Sequence, residues 1–197
     1  MNLSRTLRLG ALFLVTGLGL GSCLNPPEYP IEPSIELNEV IKVHYPASVT
    51  GIPIDSLVIK ISFRDGDGDL GLSKDNVNVA PYNSTTGGPR NLGYKNNYII
   101  QPLVKDANGR FVRFVTPPPL GAIGEFDGRY PRLDGAEAKA APLKGELRCK
   151  VPILIGSTTL QAGQWRAGQV LRFEISILDR ALHQSNTVTT PDVVVGP

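Results

Sequence analysis

Cysteine is scarce: the 197 residues hold two, Cys23 and Cys149. Histidine is equally rare, with only His44 and His183. So few thiols and imidazoles leave too small a set for a zinc site of ordinary composition. Nucleophilic catalysis needs a base beside the nucleophile. No Gly-x-Ser-x-Gly turn occurs, and neither histidine stands at triad spacing from a serine. No phosphate-cradling glycine loop opens onto a helix. A basic surface is missing too. The net charge of +2 matches Arg5 and Arg8 in the first 22 residues, which contain no acid. From residue 23 onward, bases and acids balance and no basic cluster remains, so no nucleic-acid partner is expected. Long apolar runs are absent as well. The stretch Leu9 to Leu20 would span roughly 18 Å as a helix, against about 30 Å of hydrocarbon.

Glycine (21) and proline (17) are abundant, which argues against a helical bundle and for strands joined by many turns. Period-2 alternation is the dominant pattern. Leu57, Ile59, Ile61 and Phe63 share one face of a run, and Val58, Lys60 and Ser62 share the other. Leu147, Cys149, Val151, Ile153 and Ile155 do the same, as do Leu171, Phe173, Ile175 and Ile177. Weaker strands are expected at 35–45, 98–104, 111–115 and 187–195. Asp106-Ala107-Asn108-Gly109 reads as a hairpin turn with positive φ at Asn-Gly. About seven strands in the segment 34–197 predict an all-β fold, an Ig-like antiparallel β-sandwich with two long loops. Residues 136–141 could add one helical turn. Cys149 falls on an inward face, where a small apolar side chain is expected.

Residues 1–22 have the charged start, apolar middle and small-residue end of a secretory signal. Leu20-Gly21-Ser22-Cys23 resembles the lipobox of bacterial lipoproteins. The resemblance implies cleavage after Ser22 and a diacylglycerol on the Cys23 sulfur. Residues 23–33 follow as lipidated cysteine and tether. Four prolines between Leu24 and Pro33 make that tether extended and semi-rigid. Acyl chains contribute about 0.8 kcal/mol per buried methylene, so the anchor would be stable.

The loops are 81–96 and 116–146. They carry Tyr82, Arg90, Tyr94, Phe126, Arg129, Tyr130 and Arg132. Aromatic and arginine side chains suit contact surfaces, so these are the partner-contact candidates. The alternative is that the aromatics fold back over a sheet edge.

The sharpest local feature is Asp65-Gly66-Asp67-Gly68-Asp69-Leu70-Gly71. Like charges about 4 Å apart repel by roughly 1 kcal/mol even in water. Carboxylates at i, i+2 and i+4 are what a calcium loop uses. The EF-hand pattern stops halfway, since its sixth position is Leu70 and its twelfth Asn76. Calcium is the cofactor this donor set would take, at Asp65, Asp67 and Asp69. Carbonyls, Asp75 or Asp179 would complete the shell. The plain alternative is a solvated acidic turn. Asp179 is expected mainly to cap a turn, and Arg180 to pair with it or with another loop acid.

Two segments resemble one family. Ser62 to Gly71 resembles the F-x-D-G-D-G-D-L-G segment of small lipoproteins of Bacteroidetes. Ile177-Leu178-Asp179-Arg180-Ala181-Leu182-His183-Gln184-Ser185-Asn186-Thr187-Val188 resembles their D-R-A-x-x-x-S-N-x-V ending. The resemblance implies an outer-membrane location, with the periplasmic or cell-surface face open. The expected role is a lipid-anchored, non-catalytic binding or accessory subunit, with outer-membrane proteins or glycans as partners. A glycan-binding module of a nutrient-uptake system is one alternative, favoured by exposed coplanar aromatics. A hydrolase is another, favoured by a pocket holding His44 or His183 against a serine and an acid.

Overall fold

The computed structural model describes residues 27–114, 124–135, 139–156 and 164–197. Among the described residues nine strands form two sheets. The first contains β1 (Ser34–Tyr45), β2 (Ile54–Asp65) and β5 (Leu143–Ile155), all antiparallel. The two-residue β6 (Gln164–Trp165) joins β5 in parallel. The second sheet has the order β4 (Phe111–Arg113), β3 (Tyr98–Lys105), β7 (Val170–Ile177) and β8 (Val188–Thr189). The short β9 (Val193–Val194) also pairs with β7. Strands one, two and five face strands three, four and seven, which is the Ig-like arrangement. Among the described residues no helix is long and apolar enough to cross a membrane.

The alternating runs meet in one core. Leu57, Ile59 and Ile61 from β2 are fully buried, as are Leu171, Phe173, Ile175 and Ile177 from β7. Each such side chain contributes about 1.5–3 kcal/mol of transfer free energy. Cys149 lies opposite Ile59 on the inward side but is only half-buried, at the margin of the core. Burial pushes its thiol up to about 11.

Several boundaries differ from the sequence reading, each for a physical reason. In β1 the register shifts between Leu37 and Glu39. Ile35 and Leu37 pack inward on odd positions, and Val40 continues on an even one. An extra residue in one strand switches its faces, which is why the alternation of 35–45 is weak. The last run, 187–195, breaks into β8 and β9 around Pro191, which has no N–H for a ladder. Thr190 fills the gap, its Oγ1 accepting from Phe173 N at 3.0 Å. At the 106–109 turn only Gly109 has positive φ. Asp106 Oδ1 closes that turn by accepting from Asn108 N and Arg110 N. The expected helical turn at 136–141 includes 136–138, which lie outside the described residues, as does Cys23. The most consequential difference is at β2. It continues past Phe63 and ends on Asp65, so the first aspartate of the motif belongs to a strand and its side chain points inward.

Candidate metal centre

The end of β2 delivers Asp65 to one end of the sandwich with zero exposure. Its neighbours come from two places. Asp69 lies four residues along the glycine-spaced loop, and Asp179 follows β7. An isolated bridge between Leu70 and Asp179 joins the two segments. One carboxylate oxygen from each of Asp65, Asp69 and Asp179 lies within 4.8 Å of the others, so this acidic triad can hold a metal ion. Asp67 is not in that set, although its Oδ1 is also buried without a partner. Asp75, considered above as a further ligand, is exposed and stands apart.

Burial without partners governs the electrostatics. Among the described residues neither oxygen of Asp65 has a hydrogen-bond partner. Desolvation, followed by the charges of Asp67, Asp69 and Asp179, pushes its carboxyl up to about 7. The Asp69 amide pulls weakly the other way without meeting hydrogen-bond geometry. Asp69 and Asp179 are raised as well, each mainly by desolvation. Asp179 has partners of its own: Oδ1 accepts from His183 N at 2.7 Å, and Oδ2 meets His183 Nδ1 at 2.8 Å. The expected turn cap is therefore present. Arg180 reaches the triad at Asp69: its backbone N–H donates to Asp69 Oδ1 at 3.3 Å, and its charge lowers that carboxyl against the larger effect of burial. Its guanidinium donates to both oxygens of Asp134, at 3.0 and 2.7 Å, and to the carbonyls of Leu70 and Gly71. Arg132 holds the same carboxylate, and the two guanidinium groups keep Asp134 below the usual carboxylate range.

The loop around the triad is packed from every side. A Cβ on Gly68 would sit 2.1 Å from Ala141 O, and one on Gly71 2.1 Å from Pro131 O. Both residues also have positive φ. Only glycine fits such close backbone approaches. These glycines therefore admit neighbouring segments as well as curling the loop.

The contact candidates have unequal fates. Tyr82 and Tyr130 are buried, so they are not surface groups. Tyr82 OH donates to Arg180 O at 2.6 Å, and Tyr130 OH donates to Leu178 O at 2.9 Å. These bonds grip the backbone on both sides of Asp179. Burial raises Tyr130 well above its ordinary value, with the charges of Asp65, Asp179 and Asp69 adding to it. Phe126 packs against Trp165, ring centroids 6.5 Å apart, and Tyr94 is half-buried against Gly87 and Gly88. Arg132 is spent on Asp134, and Arg129 alone is exposed. The exposed coplanar aromatics expected of a sugar platform are thus not formed by Tyr82, Tyr130 or Phe126.

Arg90 links the two long loops. It donates to Asp127 and, at 3.1 Å, to Gln101 Oε1, while Asp127 Oδ1 accepts from Ile100 N. A cleft of about 220 Å³ opens there on the outer face of the second sheet, lined by Pro89, Arg90, Ile99, Gln101, Glu174 and Ser176 among others. His44 and His183 each meet an aspartate, Asp55 and Asp179, but neither lines this cleft. The hydroxyl of Ser185, the serine closest to His183 in sequence, donates to Asn186 O and accepts from Ile177 N.

Sequence reading missed Asp134 and Asp127, and it named Tyr82 and Tyr130 without their supporting role. Arg180 stands 46 residues from Asp134 and Arg90 37 from Asp127, so no local pattern marks those pairs. No family model, curated protein or solved structure matches the chain.

Proposed function

We propose that the chain is a lipid-anchored outer-membrane protein acting as a non-catalytic binding or accessory subunit, with calcium ordering the end of its sandwich nearest the anchor. The observation that carries the calcium reading is Asp65, fully buried and unpartnered beside Asp69 and Asp179. Three hard oxygen donors without thiol or free imidazole suit calcium, which needs six to eight oxygens and tolerates irregular geometry. Magnesium demands a tight octahedron and would substitute poorly. The anchor reading rests on the lipobox at Cys23 and on the resemblance of the Asp-Gly and Asp-Arg-Ala segments to Bacteroidetes lipoproteins.

Two measurements test it. Calorimetry should give a dissociation constant of order 0.1–1 mM, the range of extracellular modules. At ten times that constant, binding to the folded state adds about 1.4 kcal/mol. For a chain of this size the melting temperature should then rise by about 3–6 °C. No heat and no shift would leave an acidic turn. Separately, Cys23→Ala should abolish acyl labelling and release the protein from membranes. A variant that still labels and sediments would refute the anchor.

The cleft beside Arg90 supports a second reading, a glycan-binding module. Its mixed donors and acceptors suit sugar hydroxyls. Saturation-transfer spectra with simple methyl glycosides test this, and silence across the panel would remove it.

A further inference from the structure

We propose that calcium at the Asp65–Asp69–Asp179 centre is a clasp that fastens the N-terminal tether to the end of the sandwich. The inference rests on reading the centre as a calcium site. It concerns what the ion controls.

The loop that supplies the carboxylates is also the loop that holds the tether. Gly66, next to Asp65, donates its N–H to Pro30 O at 2.8 Å. The contact is tight: a Cβ on Gly66 would lie 2.3 Å from Tyr29 O and 2.7 Å from Pro30 O. The next residue, Asp67, accepts at its carbonyl from Ala141 N at 3.1 Å, where the second long loop returns to β5. The carbonyl of Asp69 accepts from Arg180 N at 3.2 Å, and that of Leu70 from Leu133 N at 3.1 Å. Beyond the tether contact, Asn186 clamps the start of β1, accepting from Ile35 N at 2.8 Å and donating to Ile35 O at 2.9 Å. Tether, long-loop return and β7 exit are therefore all bonded to five consecutive residues, Gly66 to Leu70.

Like charges on Asp65, Asp69 and Asp179, the first and last of them buried, push the short loop and the β7 exit apart when nothing compensates them. An ion drawing them together fixes the conformation in which Gly66 meets Pro30. Linkage makes the effect reciprocal: a docked tether must tighten the ion, as the ion tightens the tether. The consequence is a change of reach. From Cys23 to Tyr29 is six peptide steps, about 20 Å at full extension, and from Cys23 to Ile35 is twelve, about 40 Å. Calcium thus draws the acidic end of the domain toward the anchored cysteine, and its loss lets the domain swing out.

The test uses the mature protein extracted in detergent, with calcium chloride as the only added ligand. Amide exchange at Gly66 reads docking directly. It should be about tenfold or more slower in millimolar calcium than in chelator, while Ile59, in the middle of β2, stays the same. Gly66→Ala should weaken calcium binding by about fivefold or more, the scale of an ordinary coupling between sites. Gly109→Ala is the control: Gly109 has a positive φ, which Gly66 does not, yet nothing lies within 4 Å of a Cβ there, so the substitution strains a backbone away from the tether and should leave calcium affinity unchanged. If calcium binds but Gly66 exchange does not respond, the clasp is wrong and the calcium site stands. If wild-type protein takes up no calcium, the site itself fails and the clasp with it.

Discussion

Asp55 and Asp65 stand near opposite ends of β2, on the same face and with the same zero exposure. Their surroundings are opposite. Asp55 Oδ1 meets His44 Nδ1 at 2.7 Å, and its Oδ2 accepts from Gly196 N at 2.7 Å and lies 3.8 Å from Lys42 Nζ. Lys42 in turn donates to the carbonyls of Val194 and Gly196, so the cluster staples β9 and the chain's last residues to β1. Among the described residues Asp65 has no hydrogen-bond partner and three acidic neighbours. A buried charge is tolerated when it is paired and hydrogen-bonded, and is costly otherwise. Asp55 is thus a finished structural element. Asp65, with Asp69 and Asp179, is placed where a metal ion can be held.

Breaking the finished end should have the largest effect. Asp55→Ala removes the hydrogen-bond partner of Gly196 N and His44 and the counter-charge beside Lys42. It should cost about 2–4 kcal/mol in denaturant melts, equally in calcium and in chelator. A loss that appears only in calcium would mean the two ends are not independent.

Asp65→Asn sharpens the contrast, because its sign depends on the ion. At pH 8 in chelator it removes an uncompensated charge and should raise stability by about 1–3 kcal/mol. In calcium it should abolish the thermal shift. Destabilisation in chelator would show that Asp65 is already compensated.

The pH dependence of wild-type protein follows from the same carboxylates. Asp65 has a folded value of about 7 against an ordinary 3.8, and Asp69 and Asp179 are raised too. A raised folded value gives stability that is fully present below about pH 4 and lost as pH rises through 7. His183, raised by Asp179, adds in the same direction. In chelator the melting temperature should therefore fall between pH 5 and 8. Calcium binds the ionised form and should flatten that slope. Asp134, lowered by its two guanidinium partners, acts oppositely, and its contribution is lost only in acid. A rising melting temperature from pH 5 to 8 in chelator would contradict the unpaired triad.

The smallest effect concerns Cys149, far from either aspartate along β5 and held inward opposite Ile59. With its thiol near 11, little thiolate exists at pH 8, where an ordinary cysteine has a substantial fraction. Alkylation should be at least about tenfold slower in native protein than in denaturant. Equal rates would mean that β5 presents Cys149 to solvent.

The strands were legible because alternation is a local signal, and β2, β5 and β7 write it cleanly. It failed where a bulge in β1 exchanged the faces and where Pro191 interrupted the last pairing. The candidate centre was half legible. Three acids spaced by glycine announced themselves, but Asp67 stands outside the triad, and Asp179 enters it through the bridge from Leu70. Tyr82 and Tyr130 could be read as surface contacts or as aromatics folded back over the sheet, because composition cannot report whether a loop folds inward; both are buried. What the sequence by itself determined is therefore the sandwich and the existence of an acidic turn, since both follow from neighbours along the chain. What only the tertiary structure decided is which acids meet, that one of two buried aspartates is partnered and the other is not, and that the tether docks on the same loop. Those facts depend on segments brought together from 11 residues apart, as His44 and Asp55 are, to more than 100, as Asp65 and Asp179 are, and burial, which sets the energy of every one of those charges, is a property of the packed whole.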